Sequence, residues 1–328
     1  SMRMPKLATG TWVLGATSDR FTWGGGYSDP VPLFKQLEIA ARIPGIKGVE
    51  VHQSDFNEND PKDYRKRVRD LGLQTSNMNT NVWSERRFKH GAFTNRNRRI
   101  RQQALDEAKR SVDLARQVEC PSAALWLGSD GFDYPFQTDY AAHWNLLLEG
   151  IRRIVEYASP DLRVGIEYKL REPRNRMTIG DVGKALLICE EIGAPNLGVA
   201  IDFGHALVAR EAPGESVVLA ARKNRLFNVH FNDCLRDWDD DMIPGTVHLW
   251  ETVEFLYWCK VVGYDGWFGL DMFPYRENGA EAARMAVENI RAMWKLADGL
   301  PQDALQRAQA TMDAIATQKI VRRLLKAS

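Results

Sequence analysis

The chain has 328 residues, with 44 lysine and arginine residues against 43 aspartate and glutamate residues, so its formal net charge is +1 when the histidines are neutral. This balance argues against a nucleic acid or an anionic membrane as partner, because both are usually bound through a clear excess of basic residues. With 44% hydrophobic and 27% charged residues, the composition is that of an ordinary globular protein.

Short apolar runs rich in β-branched residues recur along the chain, and longer stretches with helical periodicity lie between them. Eight strands are predicted, at 6–14, 46–52, 73–80, 122–128, 163–169, 197–203, 226–232 and 266–273. Helices are predicted, among others, at 96–118, 139–158, 179–193, 248–262 and 279–297. Eight strands alternating with helices predict an α/β protein that closes into a (β/α)8 TIM barrel. The alternative is an open doubly wound sheet, but no G-x-G-x-x-G marks a dinucleotide site.

We expect a catalytic barrel domain at 3–298 and a helical tail at 299–328. The tail carries an apolar stripe, which predicts packing on its own barrel or on a neighbouring subunit. The stripe consists of Leu305, Met312, Ile315, Ile320 and Leu324.

The cellular setting is predicted from the cysteines and from the lack of long apolar runs. The four cysteines lie far apart without a C-x-x-C pair, which argues against a disulfide framework or a zinc knuckle. No apolar run approaches the roughly 18 residues of a membrane helix, and no secretory signal is recognised at the N-terminus. We therefore expect a cytoplasmic protein that does not enter a membrane.

Polar and aromatic residues gather where the predicted strands end. The C-terminal strand ends of a TIM barrel form the rim that carries the active site. The residues at these ends are His52, Asn79, Asn81, Trp126, Glu167, Lys169, Asp202, His230, Asn232 and Asp271.

Two of these strand ends carry closely spaced ionisable groups. Glu167 and Lys169 are two residues apart, so both side chains point into the barrel mouth. Asp202 ends the next strand, and Gly204 permits a tight turn that brings His205 beside it.

The following strand ends add further ligand types. His230 and Asn232 share one face of their strand. Asp239 and Asp241 lie in the next loop, where they can bind one ion, and Asp271 follows from the last strand.

Five carboxylates and two imidazoles therefore converge on one rim. Two like charges 4 Å apart repel by about 4 kcal/mol at an effective dielectric constant near 20, so such a cluster requires cations. An oxygen-rich set with imidazole suits Mn²⁺, Mg²⁺ or Co²⁺, and Asp202 lies where it can bridge two ions. A single aspartate at a strand end is more often a cap or an ion-pair partner, so the prediction depends on the convergence.

The sequence resembles the xylose isomerase-like barrel superfamily of metal-dependent aldose–ketose isomerases, both D-xylose isomerase and the bacterial L-rhamnose isomerases. The resemblance covers most of residues 6–297. Its segments, in order, are G-T-W-V-L-G (10–15), F-K-H-G-A-F-T (88–94), E-Y-K-x-x-E-P-R (167–174), D-F-G-H (202–205), H-F-N-D (230–233), D-D-D-M (239–242) and D-M-F-P-Y-R (271–276).

The resemblance implies two divalent ions, with Mn²⁺ expected first and Mg²⁺ or Co²⁺ next. The ligands of a first, substrate-holding metal would be Glu167, Asp202, His230 and Asp271. The ligands of a second, mobile metal would be Asp202, His205, Asp239 and Asp241. The imidazole of His230 stands where xylose isomerases have a carboxylate, which is the choice of the rhamnose isomerases.

The resemblance also implies a reaction, a metal-assisted hydride shift between C2 and C1 of an open-chain sugar. Lys169 would polarise the substrate O1. His52, oriented by Asp55, would assist the opening of the sugar ring.

The substrate would lie between apolar walls formed by Trp12 and Trp126, with Phe21 inserted from a neighbouring subunit. We therefore expect a homo-oligomer, a tetramer or a dimer, acting on a small sugar. A 6-deoxyhexose or a related aldohexose ranks slightly above a pentose.

Three other functions remain open. A ketose 3-epimerase shares this barrel but uses two glutamates on a single metal. A phosphodiesterase of the DNA-repair endonuclease type requires a basic face, for which the run 96–101 is the only candidate. A sugar-binding protein without turnover would have no need for Lys169 or His52.

Overall fold

The computed structural model describes residues 3–326, and eight parallel strands form a closed barrel in it. The strands are β1 (Lys6–Gly10), β2 (Ile46–His52), β3 (Gln74–Asn79), β4 (Ser122–Leu125), β6 (Arg163–Glu167), β8 (Leu197–Asp202), β9 (Leu226–Phe231) and β10 (Trp267–Leu270). They neighbour one another in this order, and β10 pairs with β1 to close the barrel. The predicted (β/α)8 barrel and all eight predicted strands are confirmed.

Some predicted strands extend too far at their C-terminal ends. The strand predicted at 6–14 stops at Gly10, because Thr11–Leu14 turns into a 3-10 helix. The strand predicted at 266–273 stops at Leu270. The polar residues at these ends therefore lie in the loops of the barrel rim.

Helices surround the barrel, and each of the five named predictions is confirmed. They correspond to α3 (Arg98–Gln117), α4 (Tyr140–Ala158), α5 (Val182–Ile192), α8 (Leu249–Val261) and α9 (Gly279–Asp298). Four further helices were not predicted from the sequence: α1 (Leu33–Ala41), α2 (Pro61–Asp70), α6 (Phe203–Val208) and α7 (Pro213–Arg222). Helix α2 gives a weak apolar signal, because only Tyr64 and Val68 of its ten residues are buried.

The core lies inside the barrel and between the barrel and its helices. Every residue of β8 is buried, since a parallel barrel strand is covered on both faces. Helix α9 buries Ala283, Ala286, Val287 and Ile290, a helical spacing that faces the barrel. Among residues 3–326, no helix is both long enough and apolar enough to span a membrane.

The tail consists of two short helices, α10 (Gln302–Ala310) and α11 (Ala314–Arg323), and its last residues, 327–328, lie outside the described part. Leu305, Ile320 and Leu324 of the predicted stripe are buried. Met312 is 89% exposed and Ile315 is 66% exposed. The turn between the two helices takes these two side chains off the buried face, so the stripe is not continuous.

A small second sheet crosses the rim. The strands β5 (Gly131–Phe132) and β7 (Arg176–Met177) pair in antiparallel fashion. This pairing joins the loop that follows β4 to the loop that follows β6, and it fixes both loops beside the open end of the barrel.

Candidate metal centre

Four side chains at neighbouring strand ends bring one donor atom each to within 4.8 Å of all the others, and we call them the inner group: Glu167, Asp202, His230 and Asp271. The Nδ1 atom of His230 lies 3.5 Å from Glu167 Oε1, 3.9 Å from Asp202 Oδ2 and 3.5 Å from Asp271 Oδ2. Asp271 is the most open member, with 15% of its side chain exposed. The structure thus brings together the four residues that the resemblance assigned to a first metal.

The inner group fits a divalent cation. Bonds of about 2.1 Å to an octahedral ion place neighbouring donors about 3 Å apart and opposite donors about 4 Å apart. The distances of 3.5–3.9 Å from His230 Nδ1 to the three carboxylates lie within this range. The buried Nδ1 of His230 has no hydrogen-bond partner in the structure. An unsatisfied imidazole nitrogen facing three carboxylates is an arrangement that a metal ion would complete.

Glu50 contacts His230 on the side of the ring that faces away from the other inner-group ligands. It was not identified from the sequence. Its Oε1 lies 2.9 Å from His230 Nε2 and also accepts a 2.7 Å hydrogen bond from the amide of Asn77. When the Nε2–H group donates a hydrogen bond to Glu50, the lone pair of Nδ1 can bind a metal ion. A signal existed in the sequence, since Glu50 precedes His52 by two residues and therefore shares its face of β2.

A second set, the outer group, consists of Asp202, His205 and Asp239. His205 Nε2 lies 3.2 Å from Asp239 Oδ2 and 3.8 Å from Asp202 Oδ2. Its other nitrogen, Nδ1, lies 2.9 Å from the carbonyl oxygen of Tyr168, which accepts the ring N–H. With Nδ1 bonded to this carbonyl, Nε2 faces the two carboxylates and could bind a cation in exchange for its proton.

The turn predicted in D-F-G-H is present. Asp202 caps α6, because its Oδ1 accepts a 3.0 Å hydrogen bond from the backbone amide of His205. A Cβ atom at Gly204 would lie 2.5 Å from Asn232 Oδ1, so only glycine fits there. Asn232 in turn donates 3.0 Å hydrogen bonds to both carboxylate oxygens of Asp202, which fixes the shared residue in place.

Asp239 and Asp241 differ in position, although the resemblance assigned both to the second metal. Asp239 is buried, and its Oδ1 has no hydrogen-bond partner in the structure. Asp241 lines the same cavity, with its backbone in the left-handed region at φ 52°. Its carboxylate is not part of the closely spaced outer group.

Lys169 lies beside the outer group. Its Nζ is 2.7 Å from Asp239 Oδ2, forms an ion pair with Glu172 and lies 5.6 Å from the centre of the Trp126 ring. Burial lowers the pKa of Lys169, but the carboxylates of Asp239 and Glu172 outweigh burial and hold this pKa above its usual value. Lys169 is therefore a permanent cation.

His52 occupies the opposite side of the rim. Its ring centre lies 4.5 Å from that of Trp12, and the Trp12 indole donates a 3.1 Å hydrogen bond to Asp271 Oδ1. The carboxylate of Asp55 accepts a 2.9 Å hydrogen bond from the backbone amide of His52. Burial lowers the pKa of His52 in spite of the nearby Asp55 carboxylate, so the imidazole is neutral near neutral pH.

The shifted pKa values of both groups show that a bound positive charge would stabilise them. Burial raises the pKa of Asp202, and burial together with neighbouring carboxylates raises the pKa of Asp271 well above its usual value. Burial lowers the pKa of His205, but Asp202 and Asp239 outweigh burial and raise this pKa to about 10. The cluster therefore attracts cations, either as protons or as metal ions.

The members of both groups other than Asp202 line a cavity of 520 Å³, which we call the inner cavity. Its aromatic walls are Trp12, Trp83, Trp126, Phe273 and Tyr275. Trp83, Phe273 and Tyr275 were not identified from the sequence, because aromatic residues in loops give no periodic signal. Asn79 also lines the cavity, whereas Phe21 lies on the surface and is 85% exposed.

Comparison with known proteins places these observations in a family. A probable sugar isomerase of Rhizobium meliloti (strain 1021) is 25% identical over 255 residues, which are 74% of this chain and 57% of that protein. The chain therefore spans less than two thirds of the length of that relative.

Solved structures share the fold. A xylose isomerase domain protein from Alicyclobacillus acidocaldarius subsp. acidocaldarius has a TM-score of 0.67 at 18% identity, covering 90% of this chain and 99% of that chain. An L-ribulose 3-epimerase has a TM-score of 0.71 at 16% identity, covering 95% of this chain and 99% of that chain. Several further matches are ketose 3-epimerases, whereas the sequence resemblance had pointed to xylose and rhamnose isomerases.

The family model described as xylose isomerase-like TIM barrel matches residues 37–293. Because this match covers more than half of the chain, the protein belongs to the xylose isomerase-like TIM barrel family.

Proposed function

We propose that this protein is a metal-dependent sugar isomerase that interconverts an aldose and a ketose by a hydride shift between C1 and C2 of the open-chain sugar. The observation that carries the proposal is the pair of donor groups that share Asp202, with Lys169 ion-paired to the outer group. A single metal site would not require the outer group or a buried lysine beside it.

The two groups would hold two divalent cations, with Mn²⁺ as first choice and Mg²⁺ or Co²⁺ as alternatives. Bound there, the cations would supply Lewis-acid charge to the hydroxyl and carbonyl oxygens of the sugar. The inner group is buried, and Glu50 holds its His230 in place, so a cation bound there would position the substrate. The outer group lies beside Lys169, which suits it to the reacting end. Asp241 would join the outer group only through movement of its loop.

Lys169 acts as a fixed positive charge at the substrate O1. Its ion pairs with Asp239 and Glu172 keep the amine protonated, so it donates a hydrogen bond and does not act as a base. The hydride moves with its electron pair from C2 to C1, the O2 hydroxyl gives up its proton as C2 becomes a carbonyl, and that proton ends on O1, where the negative charge that develops faces Lys169.

His52 assists ring opening. Its imidazole lines the inner cavity opposite Lys169 and packs against Trp12. A neutral imidazole accepts the proton of the anomeric hydroxyl and returns it to the ring oxygen, which frees the carbonyl group at C1. Asp55 positions the segment that carries His52 through the hydrogen bond to its backbone amide.

The walls and the assembly suit a small sugar. Trp12 and Trp126 offer apolar faces for the C–H groups of a sugar, and the polar rim offers partners for its hydroxyls. The exposed Phe21 would enter the cavity of a neighbouring subunit, so a homodimer or a homotetramer completes the site. An aldohexose or a 6-deoxyhexose is preferred over a pentose.

A ketose 3-epimerase is the second candidate. It is favoured by the inner group alone, which provides one four-ligand metal site, and by the fold shared with ketose 3-epimerases. The epimerase reaction exchanges a proton at C3 through two glutamates on one metal, whereas the last inner-group ligand here is Asp271. The outer group would then have no role in the reaction.

The test is the substitution Asp239→Asn, which removes a carboxylate of the outer group and leaves the inner group complete. The wild type and the variant are loaded with Mn²⁺, Mg²⁺ or Co²⁺ and incubated with aldoses and ketoses, and products are separated by chromatography. We expect aldose–ketose interconversion by the wild type and a loss of at least about 100-fold in the variant, since loss of a ligand weakens binding of the cation whose Lewis-acid charge is worth several kcal/mol. The matched control is Asp237→Asn, because Asp237 is exposed in the same loop.

Other outcomes would contradict the proposal. Conversion between two ketoses that survives Asp239→Asn identifies a 3-epimerase. Saturable sugar binding without conversion under any of the three metals identifies a binding protein. Full aldose–ketose activity in Asp239→Asn shows that the outer group is not part of the reaction.

A further inference from the structure

A second cavity, of 610 Å³, adjoins the inner cavity, and we call it the side cavity. Trp83, Trp126 and Glu172 line both cavities, so the two meet at these three side chains. We propose that the side cavity binds a second, neutral sugar residue, and that the substrate is a reducing disaccharide whose reducing-end residue lies at the metal centre. This inference rests on the proposed sugar-converting function and names its substrate class.

The side cavity is rigid. The pairing of β5 with β7 fixes Phe132 on one side of it. On another side, the buried carboxylate of Asp130 accepts hydrogen bonds from the backbone amides of Ala92 and Thr94, both at 2.9 Å, and from the Thr94 hydroxyl at 2.5 Å. These contacts join the segment 89–94, which carries the lining residues Lys89 and His90, to the loop that follows β4. A site whose walls are held in this way is formed before a ligand binds.

The charges around the side cavity favour a neutral ligand. Lys89 and Arg96 share the lining with three acidic residues, Asp133, Asp139 and Glu172. Arg96 donates a 3.3 Å hydrogen bond to the carbonyl oxygen of Asp139, and Asp133 lies 3.6 Å from the guanidinium of Arg174. A phosphate or carboxylate group would meet more acidic than basic side chains, whereas the hydroxyls of a sugar can bond with both.

Donors and aromatic faces are available to a sugar ring. The side chains of Lys89 and His90 have no hydrogen-bond or ion-pair partner among residues 3–326. Trp83 and Phe132 add aromatic surface, on which the C–H face of a sugar packs. This combination of aromatic faces with mixed polar groups suits a polyhydroxylated ring.

The connection between the cavities sets the linkage. The reducing-end residue must open to expose its carbonyl group, so C1 and C2 stay at the metal centre beside Lys169. Trp126 and Glu172, which line the junction, both lie beside Lys169, so the second residue is attached through an oxygen near the reacting end that the reaction leaves unchanged, at C3 or C4. The glycosidic bond passes Trp126 and Glu172 and is not broken, so no further reactant is needed.

The test compares maltose and cellobiose with their constituent monosaccharides as substrates of the Mn²⁺-loaded full chain. We expect kcat/KM for at least one disaccharide to exceed that of the monosaccharide by about tenfold or more. Phe132→Ala should lower kcat/KM for the disaccharide by up to about tenfold through a higher KM, and leave the monosaccharide unchanged. The matched control is Phe136→Ala, a fully exposed aromatic residue of the same loop.

A second variant tests the proposal even if Phe132→Ala does not fold. Lys89→Gln changes an exposed side chain without a partner, and the loss of one hydrogen bond to the disaccharide should raise its KM about threefold. The proposal is overturned when monosaccharides are converted as well as or better than the disaccharides, or when Phe132→Ala lowers both activities equally. A preference for sugar phosphates that Lys89→Gln removes also overturns it, because the cavity would then bind an anion. If neither monosaccharides nor disaccharides react, the proposed function fails. The side cavity would still be supported as a sugar site if calorimetry shows saturable binding of the disaccharides and Phe132→Ala weakens that binding.

Discussion

The inner and outer groups share Asp202 but are carried by different parts of the fold. Glu167, Asp202 and His230 lie at or beside the ends of barrel strands that pair with their neighbours. His205 lies in the short helix α6, and Asp239 lies in the irregular loop that follows β9. Strand ends hold side chains more precisely than loops do, so the inner group is the better formed of the two.

This difference suggests a division of roles. The inner group is backed by Glu50 and fixed before any ligand arrives, so we expect it to determine metal affinity. The outer group includes a loop residue, and Asp241 lies near it without joining it. We therefore expect the outer group to bind a cation less tightly and to determine the reaction.

The largest effect is expected from Asp202→Asn, which removes the residue shared by both groups. The change keeps the size of the side chain and removes its charge, so both cations should be bound weakly. We expect turnover to fall by about 1,000-fold or more, because metal Lewis-acid stabilisation is worth several kcal/mol. Metal content measured by mass spectrometry and kcat together check this. Full metal content in the variant would mean that the groups do not share this residue.

Glu50→Gln tests the support of the inner group. The amide keeps the shape of the carboxylate but removes the charge that orients His230 and raises its basicity. We expect the affinity for Mn²⁺ to fall by about tenfold to 100-fold, the usual cost of losing such a partner. Calorimetric titration of the metal-free protein measures it, and Glu58→Gln, in an exposed position of the segment that follows β2, is the control. An unchanged affinity would leave Glu50 with a packing role only.

Metal removal tests how much each group contributes to the gain in stability that bound Mn²⁺ gives. Excess Mn²⁺ at about 100 times its dissociation constant should stabilise the wild type by about 2.7 kcal/mol, and chelation by EDTA should reverse this. Differential scanning calorimetry measures the change in Tm. Asp239→Asn should keep most of the gain because its inner group is intact, and Asp202→Asn should lose it. Equal losses in both variants would contradict the proposed division.

Asp241→Asn is expected to have the smallest effect. Its carboxylate is not among the closely spaced donors, so we expect Mn²⁺ content close to that of the wild type and a loss of turnover of less than about tenfold. Steady-state kinetics beside Asp239→Asn measures the difference. A loss as large as that of Asp239→Asn would show that the loop moves to bring Asp241 into the outer group.

Much of the site followed from its position on the barrel. Glu167, Asp202 and His230 could be predicted because each ends an apolar strand, and parallel strand ends meet at one rim. His205 could be predicted because Gly204 permits the turn that returns the chain to Asp202. These inferences use only local sequence and the known geometry of a closed barrel.

Other features depend on contacts between distant segments. Glu50 faces His230 across the barrel, and the two residues are far apart in the sequence. The side cavity exists because β5 and β7 pair across two loops, and neither two-residue strand has a periodic signal. The tail stripe was predicted as continuous, but the turn at Met312 takes part of it out to the surface.

The sequence alone determined the eight strands, the barrel and the carboxylates and imidazoles at its rim, because periodicity and strand ends are local properties. Only the tertiary structure decided which nitrogens of His205 and His230 face the carboxylates, which carboxylates lie within reach of a single ion and which loops form the second cavity. Those features depend on distances of a few ångströms between residues far apart in the chain, and such distances are fixed only when the barrel closes.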